Sequence, residues 1–351
     1  MNLGKKYYLV LGNGFSIDLI QHLKSNSNLK GNLELDLSNL FVYGDVVKYP
    51  SLEEPGFLSK KYTPNLWSLG ARPTLSGPEA MEIVENLITC ANVSLKSRGR
   101  DLEEIYKSAY QELTSYLKYL FIHYNSLISD ADLKAHTQDW PWLKFLKKIN
   151  ESEEVSKIHI VTYNYDIWLE RIFRLNKISF SVGGIEDSNE KIIIYKPHGS
   201  ISFTYNNPIE DPTSFKIVNT AKELVVGGIR DYNVKYENLD KEIYSQNAMI
   251  PPAGDSASLD ALTGTWAGTI RDAINIAINQ SKSEDTLIIS GLSYWHVDRG
   301  EVDNILISLQ SDINVKTINP FPSKTLETVL SGLFKNSIHY SASSILNHIS
   351  V

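Results

Sequence analysis

The chain has 351 residues, 42% of them apolar and 21% charged, with a formal net charge of -7; the length predicts one large domain with insertions or two domains, the composition is that of a soluble globular protein, and the acidic balance argues against a protein whose main task is gripping nucleic-acid backbone. A single cysteine, Cys90, excludes an internal disulfide and a multi-cysteine zinc site and fits a reduced, cytoplasmic setting. The opening residues carry no signal-like apolar stretch and no apolar run reaches membrane-spanning length, so no membrane partner is expected.

Residues 7–11 read as a strand that runs into Gly12-Asn13-Gly14-Phe15-Ser16 and then a helical pattern over 17–23. Strand, glycine turn and helix in that order open a nucleotide-binding α/β unit. Residues 25–78 are rich in Asn, Ser, Gly and Pro without a sustained period, which predicts loops and short elements. Helices are expected over 78–96, 101–128 and 142–149. In the second, Leu102, Ile105, Tyr106, Ala109, Tyr110, Leu113, Tyr116, Leu117, Leu120, Phe121, Tyr124 and Leu127 form one broad apolar stripe. The stripe reads as core packing, with room to serve a neighbour as well.

The α/β pattern then resumes. A strand is expected over 158–161, a helix over 165–175, and a strand over 192–195 that ends at Lys196-Pro197-His198-Gly199-Ser200. Residues 205–248 are polar and irregular, with a strand over 224–226. A helix over 259–279, a strand over 287–291, a helix over 301–309, a strand over 315–318, a helix over 325–334 and a short helix near Ser344 complete the pattern. This alternation predicts a Rossmann-like α/β fold, a doubly wound and mainly parallel sheet with a large helical insertion. Residues 1–24, 156–204 and 249–351 would make the α/β domain, 25–155 the helical insertion and 205–248 a small insertion.

Five segments fall just past predicted strand ends, the edge where open parallel sheets bind ligands. They are 12–16, Thr162-Tyr163-Asn164-Tyr165-Asp166, His198-Gly199-Ser200, Gly291-Leu292-Ser293 and Asn319-Pro320. Gly12 and Gly14 let the backbone approach a pyrophosphate at a helix N-terminus; a tight strand-to-helix turn alone asks for the same residues. His198 can act as a base near neutral pH or satisfy a loop carbonyl. Asn164 and Asp166 can face a ligand or cap the following helix. His296 and Asp298 lack a third ligand in register and read as surface groups.

Taken together the segments resemble the sirtuin family, especially its bacterial NAD-hydrolysing branch in anti-phage defence. Gly12-Asn13-Gly14-Phe15-Ser16 is similar to the family's Gly-Ala-Gly-x-Ser loop, Thr162 to Asp166 to its Thr-x-Asn-x-Asp segment, and Pro197-His198-Gly199-Ser200 to its catalytic His-Gly. Ile250-Pro251-Pro252 and Trp266 resemble a Pro-Pro and a helix Trp of this branch. Gly291-Leu292-Ser293-Tyr294 with Asp298 resembles Gly-Tyr-Ser-x-x-Asp, and Ile318-Asn319-Pro320 the closing Ile-Asn. Two departures stand out: Asn13 replaces the usual Ala, and residues 205–248 hold no cysteine where deacylases carry their zinc module.

The resemblance implies an NAD+ glycohydrolase that uses NAD+ as substrate and needs no metal. His198 and Asn164 would be catalytic. Gly12, Asn13, Gly14, Phe15, Ser16, Asp166, Gly291, Ser293 and Asn319 would bind the dinucleotide, with Asp166 on the nicotinamide amide, Ser293 on the pyrophosphate and Asn319 on the adenosine ribose. It also implies a regulated antiviral effector acting by abortive infection. Only about thirty residues follow Asn319, too few for a sensor domain, so the signal is expected in trans from a partner protein, a nucleotide or a homo-oligomer. The alternatives are a sensor that binds NAD or a derivative without turnover, a zinc-free deacylase or ADP-ribosyltransferase, and a helical scaffold with a vestigial α/β half.

Overall fold

Four runs, Lys5–Leu11 (β1), Val155–Thr162 (β4), Ile192–Tyr195 (β6) and Thr286–Ser290 (β10), are buried almost continuously rather than at alternate positions. Unbroken burial marks strands covered on both faces, the condition of a parallel sheet between helical layers. A computed structural model describes residues 4–25, 33–50, 54–96, 105–186, 189–217, 225–252, 264–294 and 299–350. With Phe180–Val182 (β5), Asn314–Ile318 (β11) and Asn336–Tyr340 (β12), these runs form a seven-stranded sheet in the order β12-β11-β10-β1-β4-β6-β5. Every pairing in it is parallel. From β1 the chain first builds outward through β4 to β6 and β5, then returns to lay β10, β11 and β12 on the other side. The strand order therefore reverses between β1 and β10, the crevice where open α/β sheets take ligands.

Alternate residues of β1 serve different cores. Tyr7, Leu9 and Leu11 face a core completed by Asn13–Ser25 (α1), the helical insertion and Trp168–Leu175 (α7). Tyr8 and Val10 face a second core built on Trp266–Ile278 (α8), Arg299–Ser308 (α9) and Lys324–Leu333 (α10). The insertion holds a short hairpin, Lys48–Tyr49 (β2) with Glu54–Pro55 (β3), and helices Pro64–Ser68 (α2), Gly77–Lys96 (α3), Ile105–Ser126 (α4), Asp130–His136 (α5) and Pro141–Glu151 (α6). It shares one continuous apolar cluster with β1 and β4. The stripe expected over 101–128 is present in α4, but the opposite side is covered too: Glu112, Thr114, Ser115 and Lys118 are buried. The helix is enclosed and offers no broad face to a neighbour. Its expected first residues, 101–104, lie outside the described residues.

Within 205–248 the expected strand over 224–226 is absent at 225–226, and Leu224 lies outside the described residues. The strands there belong to a small antiparallel sheet instead, Tyr232–Val234 (β8) and Asn247–Met249 (β9) flanking Gly199–Tyr205 (β7). That sheet begins at Gly199, directly after His198. Of the helix expected over 259–279, residues 259–263 lie outside the described residues; α8 starts at Trp266, where the Thr265 hydroxyl accepts from the Gly268 N–H. No helix among the described residues is long and apolar enough to cross a membrane.

Candidate functional site

The glycines at the β1 carboxyl end are required by contact. A Cβ on Gly12 would stand 2.6 Å from the Gly291 carbonyl oxygen, and one on Gly14 would stand 2.5 Å from the Gly291 Cα. Gly291 in turn has φ +62° and presses on Gly14 and Phe15. The Gly12 N–H donates to Ser290 O and the Gly14 N–H to Gly291 O, both at 2.9 Å, so the two loops at the strand reversal are zipped together. Phe15 points away from this edge into the core, its ring centroid 5.3 Å from Trp140 and 5.1 Å from Trp142. Asn13 is exposed and its Nδ2 donates to Leu37 O, tying the insertion to the turn.

Ser16, Asn164 and Asp166 meet in one buried cluster. The Asn164 Nδ2 donates to Ser16 Oγ at 2.8 Å and to Gly12 O at 3.0 Å, and Ser16 Oγ donates to Asp166 Oδ2 at 2.7 Å. Asp166 Oδ1 also accepts from the Trp168 N–H, the Asx contact that starts α7. Burial pushes the Asp166 carboxyl up, against the downward pull of Lys196 and of the Ser16 hydrogen bond. Lys196, immediately ahead of Pro197-His198, is itself buried; its Nζ donates to Asp166 O at 2.5 Å and to Glu170 Oε1 at 2.8 Å. The enclosed ion pair locks the end of β6 to α7, and the bond to Asp166 O ties it to the loop after β4. Lys196 and Glu170 carried no sequence signal beyond their proximity to His198 and Asp166.

His198 is 3% exposed and Asn164 9%, so neither stands on an open edge as sequence position alone suggests. The His198 ring meets Tyr163 edge-on, with centroids 4.9 Å apart. Its Nε2 lies 3.4 Å from Glu301 Oε1, and the same oxygen accepts from Nη2 of Arg271. Burial would raise the Glu301 carboxyl, but the charges and hydrogen bonds of His198 and Arg271 outweigh it and hold the group at about 2. Arg271 comes from α8 and Glu301 from the first turn of α9. Sequence reasoning missed both, because a Glu in a first helical turn and an Arg on a helix are ordinary. Tyr110 of α4 stands near Arg271: burial holds its hydroxyl well above the usual range, with the arginine as the opposing charge.

The Pro-Pro segment and Trp266 join the same neighbourhood. The Ile250 N–H donates to His198 O at 2.9 Å, the Tyr165 hydroxyl donates to Ile250 O at 2.5 Å, and Trp266 is buried edge-on against Phe203. On the other side of the strand reversal, Gly291 and Asn319 line a small surface recess with Thr317, Ser323, Glu327 and His339. Asn319 Nδ2 donates to Leu292 O at 3.3 Å, and Ser293 is exposed beside it. His296 and Asp298 lie outside the described residues. Among the described residues no group of three or more His, Cys, Asp or Glu is placed to hold a metal ion. Comparison with protein-family models and with curated proteins returns no match.

Proposed function

We propose that this chain is an NAD+ glycohydrolase that releases nicotinamide and ADP-ribose, and that it acts as a regulated effector depleting NAD+ in anti-phage defence. The observation that carries the reading is the meeting of Ser16, Asn164 and Asp166 past the ends of β1 and β4, beside the reversal of strand order, with His198 next to the buried Glu301 carboxylate of α9. The leaving group of NAD+ is already a cationic pyridinium, so breaking its bond to ribose C1′ needs no general acid. What the reaction needs is a shielded, oxocarbenium-like transition state and a positioned water. Asn164 would orient the water or the ribose and Asp166 would hold the carboxamide. One water adds: its hydroxyl bonds to C1′ as the C1′–N bond breaks, nicotinamide leaves neutral with the electron pair, and His198 takes the proton. Glu301 stabilises the imidazolium that forms. The burial of His198 and Asn164 supports a resting state that opens when the effector is switched on.

The test is nicotinamide release from NAD+ by the purified chain and by His198→Ala and Asn164→Ala, with folding followed by circular dichroism. Either substitution should reduce turnover by about 100-fold or more. Near wild-type turnover in either variant, or neither binding nor cleavage of millimolar NAD+ by the wild type both alone and with candidate partners and nucleotides added, overturns the reading.

A further inference from the structure

At the sheet edge the donors expected to face a phosphate are already engaged. The N–H groups of Gly12, Gly14 and Phe15 donate within the turn or to the β10 end, the Gly291 N–H donates to Ile318 O, and Ser16 Oγ donates to Asp166. Arg271 is different. Its Nη2 is taken by Glu301, while its Nε and Nη1 are buried with no acceptor among the described residues. A guanidinium stays charged at any physiological pH, so it cannot relieve such donors by losing a proton. A buried donor left unmade is costly, and the cost persists in a fold when a ligand supplies the acceptor.

We propose that Arg271 is an oxyanion receptor beside His198, and that it takes a phosphoryl oxygen of the bound nucleotide. Glu301 fixes the guanidinium by one nitrogen and leaves the planar donor array open, the geometry that suits phosphate. The shared carboxylate oxygen puts this anion site next to the imidazole, so a phosphoryl group held by Arg271 brings its attached ribose toward His198. The identity of the anion as part of a dinucleotide rests on the proposed function; the anion site itself rests on Arg271.

Calorimetric titration with inorganic pyrophosphate, ADP-ribose and adenosine tests this on the wild-type chain, on Arg271→Lys and on the double variant Arg271→Gln, Glu301→Gln. The double variant removes both charges, so no buried carboxylate is left unpaired and the fold is retained. The wild type should bind pyrophosphate and ADP-ribose, and the double variant should bind both about 10- to 100-fold more weakly, the loss expected for hydrogen bonds to a charged group. Adenosine, which lacks phosphate, should bind all three proteins alike, and Arg271→Lys should fall between. Unchanged anion binding in the double variant, no anion binding by the wild type, or an equal loss for adenosine overturns the proposal. Arg271-dependent binding of pyrophosphate with no binding of ADP-ribose would leave the anion site standing and remove the NAD+ reading.

Discussion

The Arg271 guanidinium donates to Glu301 Oε1, the His198 ring lies 3.4 Å from the same oxygen, and the carboxyl is held at about 2 against an ordinary 4.5. A carboxyl whose folded value is depressed adds stability that is complete above the unfolded value and is lost as pH falls through the folded one. Glu301→Gln should therefore be less stable than the wild type at neutral pH by up to about 3 kcal/mol. The gap should close as pH drops from about 4.5 towards 2. Urea denaturation of both proteins across that range checks it; a gap that does not change with pH would mean the carboxylate charge is not what matters. The same residue marks the limit of sequence reading at this scale. Ser16, Asn164 and Asp166 were legible as site candidates because each sits just past a strand, and a strand end in a parallel sheet is already a location. Glu301 and Arg271 lie on helices, and only the packing of α8 against α9 brings them to one oxygen. Phe15 and Asn13 share the turn with Gly14, yet one packs into the core and the other reaches Leu37 O, since adjacent residues at a helix start face different directions.

Among the elements, β1, β4, β6, β10 and β11 could be read from short apolar runs, while β12 could not. Its Asn-Ser-Ile-His-Tyr is mostly exposed and is held at the sheet edge by backbone pairing with β11. β7 went unread because His198-Gly199-Ser200 looks like a site loop, although Ser, Ile, Ser, Phe and Thr alternate as a strand should. The helix α4 was read correctly as a helix and incompletely as a surface. Its apolar stripe says nothing of α2, β7 and β9 packed against the remaining sides. Lys118 shows the consequence. It is buried in α4 with its Nζ 3.4 Å from Phe203 O of β7 and 5.2 Å from the Tyr244 ring centroid, and burial pulls it from 10.5 to about 8. Here the folded state binds fewer protons than the unfolded state between about 8 and 10.5, so this residue makes stability rise with pH through that window. Below it, the buried ammonium is a cost. Lys118→Met should stabilise the chain by about 1–3 kcal/mol near neutral pH and abolish its share of the alkaline rise. Chemical denaturation of both proteins from pH 7 to 10 reads the difference, and a variant less stable than the wild type throughout would show that Lys118 supports the fold through contacts other than its charge.

At the scale of the whole molecule, the sheet separates two cores, and the insertion supplies most of one of them. The insertion is therefore a structural half of the fold, and the groups proposed to react lie beside it at the sheet edge. There, His198 and Asn164 are closed from solvent, and Arg271 waits with unmatched donors. Under the proposed function this arrangement has a physiological logic. An NADase active at all times would drain its own cell, so the closed edge is the state expected before a signal arrives. Opening it must be driven by something that binds the open form better, by an amount equal to the population shift it produces. Three sources fit: a partner protein, a nucleotide, or a second copy of the chain. A second copy is the one that concentration alone can reveal. Nicotinamide release per protein molecule should be low in dilute solution and should rise with protein concentration if self-assembly opens the edge. If a partner or nucleotide does so, it should stay low at every concentration until that component is added. The measurement is specific activity over a wide range of protein concentration, alongside light scattering to follow mass, then repeated with candidate partners and nucleotides. Full activity from the monomer at every concentration, with nothing added, would refute control in trans and would mean that the closed edge opens on binding NAD+ itself.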